Sequence, residues 1–261
     1  MPLIKANGIN INYEIHGSGR PIVLIGGLGS HLQSWATQIP LYSEHFKVIA
    51  FDNRGMGNSD KPDIEYSIEM MADDTMALMD SLNIESASFL GKSMGGMIAQ
   101  WIGIKYPERV DKLVLGCSTA SRDEVGNEII KIGREIAEKA GMKTVWLTAL
   151  FLGYSRQYIE NNISSIKENL SIIKDSKENL TGYLRQSEAC ENHDIVDLIP
   201  KISAQTLVMY GENDFITPPA NSKKLGELIP NSKVISFSAG HGFWRECQQE
   251  VDKTVLDFLQ N

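Results

Sequence analysis

The chain has 261 residues, 42% of them hydrophobic and 22% charged, enough to bury one large core with room for an insertion. Its 33 acidic against 25 basic side chains leave a formal charge of -8, and with no basic block in the sequence this argues against nucleic acid or an anionic membrane as partner. The amino-terminal stretch lacks the apolar heart of a signal peptide, no run approaches a membrane span, and Cys117, Cys190 and Cys247 are too widely spaced for a disulfide framework or a zinc site; the expectation is a cytoplasmic protein with reduced thiols.

In chain order, residues 2–6 and 9–15 flank the turn pair Asn7-Gly8 and read as an antiparallel hairpin. PIVLIG (21–26), FKVIAFD (46–52), SASFLG (86–91) and DKLVLGC (111–117) follow as short apolar runs bounded by turn residues, and AQTLVMYG (204–211) and SKVISF (232–237) complete eight candidate strands. So little polar alternation suits strands covered on both faces, and the helical stretches between them supply the crossovers of a mostly parallel sheet. The fold class is α/β. From 120 to 197 the rhythm breaks: VGNEIIKIGREIAEKAG has apolar residues at helical spacing, and WLTALFLGY and GYLRQSEAC follow. This predicts a helical cap over 120–197 inserted into a core made of 1–119 and 198–261.

GKSMGG, residues 91–96, lies between a predicted strand and a predicted helix. There a serine sits on a tight bend, small residues remove the clashes around it, and the helix behind it aims N–H groups and its positive dipole end at the same spot. The pattern is the G-x-S-x-G nucleophile elbow, with Ser93 as nucleophile. A serine hydroxyl needs a base, and the base a group to orient it. Of the five histidines (His16, His31, His45, His193 and His241), only His241 lies between the last strand and the last helix. Asp214 follows the penultimate strand, with Glu212 and Asp194 as fallback acids. Ser93, Asp214 and His241 thus fall at strand ends in the order expected of a nucleophile elbow in this kind of fold.

With FDNRGMGNSD, PERVDKLVL and GENDFITPP, these motifs resemble the α/β-hydrolase superfamily over essentially the whole length. Within it, YSIEMMADDTMALMDSLNIESASFLGKSMGGMIAQ is most similar to the 3-oxoadipate enol-lactonase-like, esterase and cofactor-free haloperoxidase branch. The resemblance implies an α/β-hydrolase fold with an eight-stranded sheet, and an oxyanion loop after the third strand, here IGGLGSHLQSW. Gly26 stands where the family commonly has histidine. The implied oxyanion donors are the amides of Leu28 and Met94, with Gly27 nominated instead if the alignment shifts by one. Gly27, His31, Trp35, Trp146 and Phe151 are candidate pocket residues, each with helix packing or core burial as the competing reading. Arg54 and Asp52 are expected to fix loop structure. Lys92, beside the nucleophile, could tune its surroundings, but the favoured reading lays its stem over a neighbouring helix.

The resulting expectation is a serine hydrolase with no cofactor and no metal, cleaving a small carboxylic ester or lactone. A carbon–carbon hydrolase or a perhydrolase with haloperoxidase activity would use the same triad. A non-catalytic binding or signalling protein of the same fold is the reading from another class. The expected partner is the small-molecule substrate, and a homo-oligomer stays compatible with the sequence.

Overall fold

The computed structural model describes residues 2–171 and 176–261. Among these residues eight strands form one sheet: β1 (Leu3–Ala6), β2 (Ile9–His16), β3 (Pro21–Ile25), β4 (Lys47–Phe51), β5 (Ala87–Lys92), β6 (Val110–Gly116), β7 (Gln205–Gly211) and β8 (Ser232–Phe237). The spatial order is β1-β2-β4-β3-β5-β6-β7-β8. β1 and β2 form the hairpin predicted around Asn7 and Gly8, and β2 also runs antiparallel to β4. From β4 onwards every pairing is parallel.

The pleat sends alternate residues to two cores. Val23, Ile25, Phe89, Leu113 and Leu115 face one side, where α2 (Ile68–Ser81), α3 (Met94–Lys105) and α7 (Pro219–Leu228) pack. Ile22, Leu24, Leu90 and Val114 face the other, covered by α1 (Gln38–Ser43) and α9 (Gln248–Gln260). Each such side chain contributes about 1.5–3 kcal/mol when fully buried, so strands apolar on both faces are stable only in the middle of a covered sheet. β3 has β4 on one side and β5 on the other, and the chain leaves β3 toward α1 but β5 toward α3. The two exits diverge to opposite faces and open a crevice at the carboxyl ends of β3 and β5.

The loop after β4 fixes one wall of that crevice. Asp52 accepts hydrogen bonds from the Leu32 amide (2.6 Å), the Asn58 amide (2.8 Å) and the Asn12 side chain (2.7 Å). Arg54 pairs with Asp74, both buried. Among the described residues, three α-helices stand between β6 and β7, α4 (Glu124–Gly153), α5 (Arg156–Ser171) and α6 (Lys177–Glu191), followed by a 3-10 helix over Val196–Lys201. Asp123 and Ser176 cap α4 and α6 through the amides of Gly126 and Asn179. α4 breaks at Gly141, which has φ 80° and ψ 167°. Residues 172–175, inside the expected cap, lie outside the described residues. A single bridge between Ser121 and Asp194 joins the chain where this segment leaves the core and where it returns. Among the described residues no helix is long and apolar enough to cross a membrane.

Candidate active site

Ser93 joins β5 directly to α3 with φ 54° and ψ -115°, a conformation that costs a non-glycine residue about 1–3 kcal/mol and persists only where the surroundings enforce it. The enforcement is visible. The Ser93 amide donates to the Gly116 carbonyl (2.8 Å), and its own carbonyl accepts from the Gly96 amide (2.9 Å) and the Ser118 hydroxyl (3.0 Å). A methyl group on Gly95 would lie 2.2 Å from the carbonyl oxygen of Ile25, so only glycine lets the start of α3 press against the end of β3. As the first residue of α3, Met94 has an N–H that the helix itself cannot satisfy.

The loop after β3 faces this turn. A Cβ on Gly27 would meet the Lys92 carbonyl and the Ser93 Cβ, at 3.2 and 3.4 Å. The Gly29 amide donates to Gln186 (2.9 Å) and the Ser30 amide to the Gly27 carbonyl (3.1 Å), which narrows the loop's free-donor candidates to Leu28 and Gly27. Gln186, fully buried on α6, also donates to the Arg54 carbonyl (2.7 Å) and so ties the insertion to both loops.

Asp214 and His241 meet at the ends of β7 and β8. The imidazole Nδ1 lies 2.8 Å from Asp214 Oδ2, while Asp214 Oδ1 accepts from the amides of Ile216 (2.9 Å) and Thr217 (2.8 Å). The carboxylate is therefore buried with both oxygens engaged, and it can face the ring in only one way. A Cβ on Gly211 would lie 2.1 Å from the Gly240 carbonyl, which is how the two loops come this close. Burial opposes a charge on His241, but Cys117 and Asp214, by charge and by hydrogen bonds to the ring, outweigh it and hold its pKa well above 6.5. The fallback acids lie elsewhere: Glu212 accepts from Ser236, and Asp194 sits in the bridge to Ser121.

Cys117, Tyr183 and Gly153 also belong to this neighbourhood and carry no site signal in the sequence. Cys117 follows Gly116, the register partner of Lys92, and at φ 44° its buried side chain reaches the His241 ring. Tyr183 and Trp146 pack on the oxyanion loop, 3.3 and 3.6 Å from where a Gly29 Cβ would stand. Gly153, at the end of α4, accepts from the Gly242 amide (2.8 Å) beside His241. A cysteine and a tyrosine carry no spacing signal, so only the fold brings them here.

Among the candidate pocket residues, Trp146 is half-buried, whereas Phe151 is 59% exposed and His31 is exposed on the loop's outer side. Trp35 is corrected outright: with no accessible surface and an edge-on contact to Trp244, it is a core residue and not a pocket wall. Lys92 lays its ammonium over the rings of Trp35 and Trp244, the second of them on a helix. His193 is buried and its pKa falls to about 4 through burial and Arg122. All three cysteines are free.

A family model described as alpha/beta hydrolase fold matches residues 20–243. The chain is 30% identical over 242 residues to 3-oxoadipate enol-lactonase 2 of Acinetobacter baylyi, covering 91% of this chain and 88% of that one. It is 27% identical over 269 aligned positions to the 2-hydroxy-6-oxo-2,4-heptadienoate hydrolase of Pseudomonas putida, covering 98% and 95%. Among solved structures, the enol-lactonase from Burkholderia xenovorans LB400 superposes with a TM-score of 0.93 across 100% of both chains at 28% identity. In sequence as in fold, the chain belongs to the α/β-hydrolase family of hydrolases.

Proposed function

We propose that the protein is a cofactor-independent serine hydrolase that cleaves a small carboxylic ester or lactone through an acyl-enzyme. The observation that carries this reading is the 2.8 Å bond between Asp214 and His241, made at the same end of the sheet as the strained Ser93. Ser93 Oγ attacks the carbonyl carbon and its proton passes to His241 Nε2. Asp214 holds Nδ1–H and so fixes the tautomer that leaves Nε2 free to accept. The amides of Leu28 and Met94 stabilise the tetrahedral oxyanion. His241 then returns the proton to the leaving oxygen, and water, deprotonated in turn by His241, attacks the acyl-enzyme and frees Ser93. Residues 120–197 serve as the lid, with Trp146 and Tyr183 against the oxyanion loop. The three free thiols support placing the protein in the reducing cytoplasm.

Fluorophosphonate labelling with peptide mapping is the primary test. Label on Ser93, lost in Ser93→Ala together with about a 10⁶-fold fall in kcat on the preferred substrate, is the expected result; undiminished turnover by Ser93→Ala would falsify the mechanism. The similarity to a 2-hydroxy-6-oxo-2,4-heptadienoate hydrolase makes carbon–carbon cleavage the second reading. A panel of short p-nitrophenyl esters, an enol-lactone, a vinylogous diketone, and acetate with peroxide separates the classes. Turnover of the diketone far above every ester and lactone would reassign the reaction and leave the triad in place. Inactivity throughout, with an unlabelled Ser93, would make the protein a binder.

A further inference from the structure

Lys92 is the residue immediately before the nucleophile, yet its side chain leaves the site. On β5 it shares a face with Leu90, opposite to α3. Its Nζ lies 3.6 Å from the ring centroid of Trp35 and 4.6 Å from that of Trp244, and the two indoles meet edge-to-face at 5.9 Å. Both tryptophans are buried, and neither indole N–H has a hydrogen-bond partner among the described residues. What the rings offer here is their electron-rich faces, and a desolvated cation–π contact is among the stronger ones. Gly116 makes room for the arrangement: a Cβ there would lie 2.6 Å from the Trp244 ring.

The two tryptophans are not neutral packing partners. Trp35 ends the 3-10 turn into which the loop carrying Leu28 runs, and Trp244 lies in α8 (Phe243–Glu246), three residues after His241. One ammonium therefore touches the segments that hold the oxyanion loop and the base, while its own backbone holds the nucleophile. We propose that Lys92 is a positioning residue whose ammonium, shared between the faces of Trp35 and Trp244, locks together the three loops on which hydrolysis depends. The inference rests on Ser93 and His241 having the roles given above.

The clamp is also titratable. Burial weakens the charged form; Cys117 at the end of β6 and Asp252 on α9 favour it, and Arg245 on α8 opposes it, leaving the Lys92 pKa at about 7. Asp252 is itself engaged by Tyr42 on α1 (2.7 Å) and Gln38 (3.4 Å), so it does not replace the rings as partner. As pH rises through this pKa the ammonium, and with it the clamp, is lost. The profile of kcat/KM should thus carry a descending alkaline limb that belongs to Lys92 and not to the triad.

The test compares wild type, Lys92→Met and Lys92→Arg, with Tm, kcat, KM and tryptophan emission followed against pH. Lys92→Met should lower kcat about tenfold to 100-fold, with KM changed less than about twofold, because a small misplacement of reacting groups costs that much in rate. Its alkaline limb should disappear. Lys92→Arg, charged at every pH, should recover most of the lost kcat and also lack the limb. Without substrate, wild-type emission should titrate near pH 7 and Lys92→Met emission should not. A folded Lys92→Met with wild-type kcat and profile, or emission that titrates identically in both proteins, would overturn the proposal. Because the emission titration can be repeated in Ser93→Ala, the clamp can fail or stand separately from the nucleophile assignment.

Discussion

The carboxyl ends of β5, β7 and β8 and the inserted helices α4–α6 are built to different tolerances. At the strand ends the close contacts are backbone against backbone: a methyl on Gly95 would strike the Ile25 carbonyl at 2.2 Å, and one on Gly211 the Gly240 carbonyl at 2.1 Å. Within the insertion, a methyl on Gly133 would meet the tip of Tyr183, a group that can swing aside. The insertion also exposes Val125, Ile132, Leu147 and Phe151, whereas in the loop that ends β7 the exposed large apolar side chain is Phe215. Gly182 departs from this pattern because a methyl there would lie 1.8 Å from the Gly55 carbonyl, where α6 abuts the core loop. On the proposed function, chemistry would sit on the tightly packed parts and selectivity on the looser ones.

The largest effect that would test this contrast is on the triad. Asp214→Asn leaves the shape of the β7 loop but reverses the hydrogen-bond demand on His241 Nδ1, so kcat should fall about 10⁴-fold with Tm little changed. Steady-state kinetics beside thermal unfolding checks both halves. A loss of less than tenfold would mean that another group orients the ring, and Cys117, already at its side, would be the one to examine.

Backbone tolerance comes next. Gly95→Ala must force β3 and α3 apart and should destabilise by about 1–3 kcal/mol or more, the cost of overpacking. Gly133→Ala should lie within about 1 kcal/mol of wild type, since the gain in helix propensity offsets moving the Tyr183 tip. Urea unfolding measures both. Equal losses at the two positions would erase the distinction between the regions.

Much of the strand-end region was legible in the sequence because its constraints are local. A strand, a serine among glycines and a helix can be read from consecutive letters, and the order along the chain singled out Asp214 and His241, which the fold brings together. The eight strands were legible for the same reason, since unbroken apolar runs bounded by turn residues fit only a covered sheet. What stayed hidden depends on contacts between distant segments. Trp35 looked like a pocket residue because it follows the oxyanion loop, and only the packing of α8 against that loop makes it core. Cys117 gave no sign of touching His241, because its orientation comes from a positive φ at the end of β6.

The pH dependence sharpens the comparison further. The folded-state pKa of His241 is raised, so its charged form contributes stability fully below about 6.5 and loses it as pH climbs through the raised value. The charged ring cannot accept the Ser93 proton. The acid limb of kcat/KM should therefore rise about tenfold per pH unit until pH passes the raised His241 pKa, which a pH series on Lys92→Arg, free of the alkaline limb assigned to Lys92, would reveal. In Asp214→Asn the limb should move to lower pH, because a group that favoured the charged ring is gone. A limb that stayed in place would assign the raised pKa to Cys117 alone.

The smallest expected effect lies in the insertion and separates two residues that the sequence treated alike. Trp146 stands against the oxyanion loop, so shortening it to alanine opens space beside the acyl group. Trp146→Ala should shift the kcat/KM ratio between long and short p-nitrophenyl esters by about tenfold to 100-fold, the range that differences of a methylene or more produce in an apolar pocket. Phe151 is 59% exposed on the same helix, and the atoms nearest to a Gly29 Cβ belong to Trp146 and Tyr183. Phe151→Ala should leave the ratio within about twofold, consistent with a surface substitution of roughly 0.5 kcal/mol or less. A Phe151→Ala profile that moved as far as that of Trp146→Ala would mean that the exposed end of α4 closes over substrate during turnover, extending the acyl site beyond the loop that Trp146 touches.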